Sequence, residues 1–132
     1  MSENSDMIEF VRARLAEEER IAHAAGGDTW RCPADVPGEV HDRLGAIAFS
    51  VRSHGFDEHI AFQDPARTCR RIETSRVLLN EYEEIADKDT DRPEQDFASG
   101  RAIGLGFAVR QMAAEHAGHP DYRARWLPRF IQ

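Results

Sequence analysis

The sequence holds almost no lysine, few cysteines and no long apolar run, and each scarcity closes off a class of protein. No window approaches the ~20 consecutive apolar residues that a membrane-spanning helix needs. The opening MSENSDMIEF lacks the positive start and apolar stretch of a secretory signal. The expected setting is therefore the cytoplasm, with no membrane partner. In that reducing setting Cys32 and Cys69 read as two free thiols that pack as small hydrophobes. Lys88 is the single lysine among 17 basic residues, an arginine bias that speaks of a high-GC genome and not of a mechanism. Against 24 acids those bases leave a net charge of −7. Nucleic acid is thus a disfavoured partner, because affinity for it rests on Lys and Arg neutralising phosphates. Also missing are GxSxG, a phosphate-cradling glycine loop, HExxH, a dinucleotide fingerprint and paired CxxC.

What is present fits an ordinary folded chain. At 132 residues the length predicts a single domain over 1–132, burying roughly two-thirds of its unfolded surface. The apolar fraction of 41% and charged fraction of 31% supply a core and a well-solvated exterior.

Periodicity predicts a first helix over 6–25. Asp6 and Glu9 have capping-box spacing, Met7, Phe10, Val11, Leu15, Ile21 and Ala22 form its stripe, and Gly26-Gly27 ends it. Between 29 and 53 the signal turns β-like. Thr29–Cys32 reads as one short strand and Ala46–Arg52 alternates with period two, giving an antiparallel sheet of two or three strands. A short helix is expected from Gly55 to Phe62, anchored by Ile60 or Phe62. Asp64 then supplies a cap and Pro65 an ideal first helical residue for a helix running to Ile85. Its stripe is Cys69, Ile72, Leu79 and Tyr82, flanked by Val77 and Leu78. Residues 87–95, DKDTDRPEQ, read as a mobile surface linker. A last helix follows from Phe97, with irregular first turns expected because Gly100, Gly104 and Gly106 each cost about 1 kcal/mol against Ala. The small residues there suggest close approach of another backbone. Tyr122 and Trp126, four apart in the tail, are expected to dock together.

Three blocks carry a resemblance. They are Phe10-Val11-Arg12-Ala13-Arg14-Leu15-Ala16-Glu17-Glu18-Glu19; the His59-Ile60-Ala61 to Asp64-Pro65-Ala66-Arg67 corner with Arg71-Ile72-Glu73 and Arg76-Val77-Leu78-Leu79; and His119-Pro120-Asp121-Tyr122-Arg123 with Trp126 and Pro128. Together they resemble a family of short, uncharacterised proteins of Streptomyces-like actinobacteria and their phages, catalogued as a domain of unknown function. The resemblance implies no chemistry. Gln63 stands where a histidine commonly precedes the Asp-Pro, and Asp87–Gln95 replaces a cysteine-bearing insert that some relatives carry.

Several constellations invite chemistry. His54, His59 and Asp64, with Asp57 and Glu58, offer nitrogen and oxygen donors for a divalent metal, although His59 and Asp64 are badly spaced for one helix face. His116 and His119 could join Cys32 or Cys69 around zinc. The competing account is a helix end closed by Gly118 and Pro120. Arg67, Arg70, Arg71 and Arg76 make either an anion clamp or a salt-bridged helix face. The chain therefore reads as a helix-dominated α+β domain, with three main helices and one short helix packed on a small antiparallel sheet over 29–53. The leading functional expectation is a non-catalytic interaction or accessory protein without cofactor, binding a protein partner or itself, with Arg67, Arg71, Tyr122 and Trp126 on the contact surface. Two alternatives are a small metal-binding protein or hydrolase built on the His/Asp cluster, and an acidic DNA mimic.

Overall fold

Helices dominate the structure, a computed structural model that describes residues 2–49 and 55–127. In chain order come α1 (Glu3–Ala24), β1 (Glu39–Asp42), β2 (Gly45–Phe49), α2 (Phe56–Phe62), α3 (Pro65–Ile85), a 3₁₀ turn (Ala86–Lys88), α4 (Phe97–Ala114) and a second 3₁₀ turn (Ala124–Trp126). Four helices and one two-stranded antiparallel sheet make a helix-dominated α+β fold. None of the described helices is long and apolar enough to cross a membrane. Contacts gather into two units, one of Glu17–Glu73 and one of the residues up to Ala16 with those from Thr74 onward.

In the unit from Glu17 to Glu73, the sheet is narrower than the β-like sequence predicts. Of Thr29–Cys32 only Arg31 pairs, exchanging two backbone hydrogen bonds of 2.8 Å with His41. Pro33, Pro37 and Gly38 prevent that pairing from continuing, since proline lacks the ladder donor. β1 and β2 pair in register from Glu39 opposite Phe49 to Asp42 opposite Gly45, with a bulge between Val40 and His41. The turn is set by Asp42, whose Oδ1 accepts from the amides of Leu44 and Gly45 at 2.8 and 3.1 Å. Gly45 takes φ 140°, which favours glycine there. Val51 and Arg52 of the expected strand, like His54, lie outside the described residues. Val40 and Ile72 are fully buried in this unit. α2 opens after Gly55 at φ 99°, yet neither Ile60 nor Phe62 anchors it, for they are 37% and 62% exposed. Ile21, expected on the apolar stripe, is likewise turned outward.

In the other unit, α1 begins earlier than the capping-box spacing predicts. Ser2 Oγ accepts from the Ser5 amide at 3.2 Å, so Ser2 is the cap and Asp6 lies inside the first turn. An acid there still faces the positive end of the helix dipole, which is why the sequence pattern misleads by one turn. Met7, Val11, Leu79, Tyr82 and Val109 form the buried heart. Val77 and Leu78 remain substantially exposed, because the stripe through Ile72, Leu79 and Tyr82 already fills the inward face. α4 is continuous from its first turn despite its glycines. Asp96 closes its start, accepting from the Ser99 amide at 2.9 Å. A Cβ at Gly100 or Gly104 would meet nothing within 4 Å, so those positions serve no close approach. Gly106 does, and what reaches it is a carboxylate rather than a backbone.

Candidate functional site

Asp64 stands at the start of α3 with both carboxylate oxygens occupied by backbone. Oδ1 accepts from the Arg67 amide at 2.7 Å, the geometry of an N-cap, and Oδ2 accepts from the Trp30 amide at 3.1 Å. The Ala66 amide donates to the Asp28 carbonyl at 3.2 Å, so the corner is tied twice to the segment before β1. With Asp64 only 8% exposed and both oxygens engaged, it directs no lone pair at a metal or substrate.

Beside this corner lies a cleft of about 400 Å³ lined by Trp30, Arg31, Cys32, Phe62, Arg67 and Arg70. The Arg67 guanidinium lies over the Phe62 ring, 4.5 Å from its centroid, and donates to Gln63 Oε1 at 2.9 Å. Arg71 pairs with Glu18 of α1. Burial pushes the Cys32 thiol up, and the charges of Asp57 and Glu58 push it further, so the nucleophilic thiolate is disfavoured. The indole N–H of Trp30 is buried without a partner among the described residues. His59 is exposed on the last turn of α2. Among the described residues no three His, Cys, Asp or Glu side chains converge where a metal ion could sit.

The tail histidines and aromatics gather on one ring. Phe10 of α1 has His116 and His119 edge-on at centroid distances of 6.3 and 5.6 Å, Tyr122 at 5.9 Å and Trp126 at 5.1 Å. Tyr122 and Trp126 meet edge-to-face at 5.7 Å. Arg14 Nη1 stands 2.5 Å from His119 Nε2, with its guanidinium 5.6 Å from the Phe10 centroid. The expectation that Tyr122 and Trp126 form an outward contact surface therefore needs correction. Trp126 is 4% exposed and is a core residue of this unit, because Phe10 offers its ring a larger apolar partner than solvent can.

A further polar centre, which sequence reasoning missed, sits at Asp89 inside the stretch expected to be a mobile linker. Asp89 Oδ2 accepts from Tyr82 Oη at 2.5 Å and from Arg110 Nη1 at 2.9 Å. Asn4 Nδ2 donates to the carbonyls of Ala86 and Asp89, each at 3.1 Å, fastening the start of α1 to the same turn. Burial, then the hydrogen bond and charge of Asp89, raise the Tyr82 phenol far above its ordinary value. The side chain of Asp89 is 8% exposed and lies against α4 where a Cβ at Gly106 would come within 2.1 Å of Oδ2. This group lines one side of a cavity of about 550 Å³, whose walls include Asn4, Asp91, Ile103, Phe107 and Arg125. An acid among acids in DKDTDRPEQ carries no periodic signal. The available clues were a tyrosine ending an apolar stripe and a glycine one helical turn before an arginine.

No curated protein and no solved structure matches this chain. A family model does, over residues 4–128, and the chain belongs to that family, the family of unknown function DUF6221.

Proposed function

We propose that this protein is a non-catalytic interaction module that pairs with a second copy of itself through α2, as a cytoplasmic accessory factor of an actinobacterium or its phage. The observation that carries the reading is that none of the seven residues of α2 is buried. Phe56 and Phe62 are 55% and 62% exposed, Ile60 shares their helix, and the hairpin of the same unit adds Leu44 and Ile47. Seven residues are too few to persist as a lone helix in water, so a solvated apolar α2 gains most from a surface that covers it. Its charges favour a like partner. Asp57 and Glu58 stand on α2, and Arg31, Arg67 and Arg70 line the adjacent cleft. In a two-fold pairing each copy brings acids to the other's arginines. The arginine bias of the chain supports the high-GC host.

Light scattering on purified protein across a hundredfold concentration range tests this. A dimer that dissociates on dilution and becomes a monomer in Ile60→Glu, with unchanged circular dichroism, is the expected result. A monomer at every concentration, or a dimer indifferent to Ile60→Glu, overturns the proposal.

A further inference from the structure

The cavity beside Asp89 belongs to the other unit and bears on a different activity, so it stands or falls apart from pairing through α2. We infer that it is a binding site for a small primary amine carrying a short aryl or alkyl body. Its volume of about 550 Å³ lies within the usual range for small-molecule sites. Ile103 and Phe107 of α4, with Pro93, give it an apolar wall, and Phe107 is 45% exposed.

The polar side is built on Asp89. Its carboxylate is nine-tenths buried, Tyr82 and Arg110 both donate to Oδ2, and Oδ1 receives no hydrogen bond from any described residue. A buried carboxylate oxygen left open beside a cavity is a strong acceptor awaiting a donor. The cations in the wall are already matched: Arg110 by Asp89, and Arg125 by Glu3 and Asp6, each at 3.6 Å. Glu3, Asp89 and Asp91 outnumber those two arginines around the cavity, so the potential inside favours a cation over an anion. An ammonium has three donors for Oδ1 and the surrounding oxygens, while the attached body covers Ile103 and gives Phe107 a cation–π or apolar contact.

The Asp89 anchor is preorganised. Asn4 holds the backbone carbonyls of Ala86 and Asp89, and Gly106 leaves room for the carboxylate to lie flat on α4. A ligand therefore meets a fixed acceptor rather than one it must order, which lowers the cost of binding.

The test titrates the full chain with phenethylamine, phenethyl alcohol and phenylacetate by calorimetry or amide chemical shifts. The amine is expected to bind at least tenfold more tightly than the alcohol, with phenylacetate weakest, and to shift amides of α4 near Ile103 and Phe107. Ile103→Trp, which fills the cavity, and Phe107→Ser, at a half-exposed site where folding tolerates the change, should each weaken amine binding tenfold or more while thermal melting stays cooperative. No amine binding up to 10 mM, tighter binding of phenylacetate, or amine affinity unchanged in Phe107→Ser overturns the inference.

Discussion

Substituting the glycines of α4 one at a time separates helix propensity from close approach. All three lie in one helix, and none has a positive φ. At Gly100 and Gly104 an added Cβ meets open space, so alanine there should stabilise by up to about 1 kcal/mol through helix propensity alone. At Gly106 the same Cβ would lie 2.1 Å from Asp89 Oδ2, 2.9 Å from its Cγ and 2.8 Å from Arg110 Nη1. Arg110 can swing aside, but Asp89 has a short side chain, and any shift that clears the Cβ withdraws Oδ2 from Tyr82 and Arg110. Hydrogen bonds to a charged group are worth about 1.5–3 kcal/mol each, so their loss costs roughly 3–5 kcal/mol. After the propensity gain, Gly106→Ala should destabilise by about 2–4 kcal/mol. Urea unfolding followed by circular dichroism reads this as a lower midpoint at constant slope. A double-mutant cycle with Asp89→Ala sharpens the result, since most of the Gly106→Ala penalty should vanish once the carboxylate is gone. If Gly106→Ala stabilises as Gly100→Ala does, the account of Asp89 packed on α4 is wrong.

Asp64→Ala removes acceptors from the Arg67 and Trp30 amides together and should cost about 2–3 kcal/mol. Asp64→Asn should fall between, because its amide nitrogen cannot accept from either. Denaturant unfolding would check both, and an Asn variant as stable as the parent would refute the double acceptance. The Tyr82 phenol is raised in the folded chain, so its contribution is complete below the ordinary tyrosine value of about 10 and declines as pH climbs above it. Melting curves between pH 9 and 11.5 should fall less steeply for Tyr82→Phe than for the parent, and parallel slopes would contradict this. The Asp96 carboxylate is held low by its hydrogen bonds from Ser99, so its stabilisation is present above about pH 4 and fades as acid protonates the folded form. Asp96→Asn, which keeps a cap without a titrating charge, should flatten the melting-temperature profile between pH 5 and 2.5, and an unaltered profile would count against the cap.

The helices were legible because their signals are local and repeated. The corner at Asp64-Pro65 and the stripe of Ile72, Leu79 and Tyr82 use residue types with few other meanings, and the structure places α3 from Pro65 to Ile85. The first strand was not legible, because a single bridge at Arg31 obeys no period and is decided by His41, far along the chain. Ser2 was overlooked for Asp6 because both types cap helices, and only the hydrogen bond to Ser5 separates them. The Asp89 centre was hidden for a related reason. Its partners Asn4, Tyr82 and Arg110 come from three helices, and sequence proximity links none of them. Trp126 misled in the opposite sense, since an aromatic residue in a polar tail looks available until Phe10 is found beneath it.

A single carboxylate that fastens two distant amides also governs how that region breathes. The opening turn of α3 holds its cap only while the strip around Trp30 is seated, and that strip is seated only while the helix is wound. Neither can loosen alone. Proton exchange at the Trp30 and Arg67 amides should consequently proceed at one shared rate, as a latch releases both leaves of a gate together.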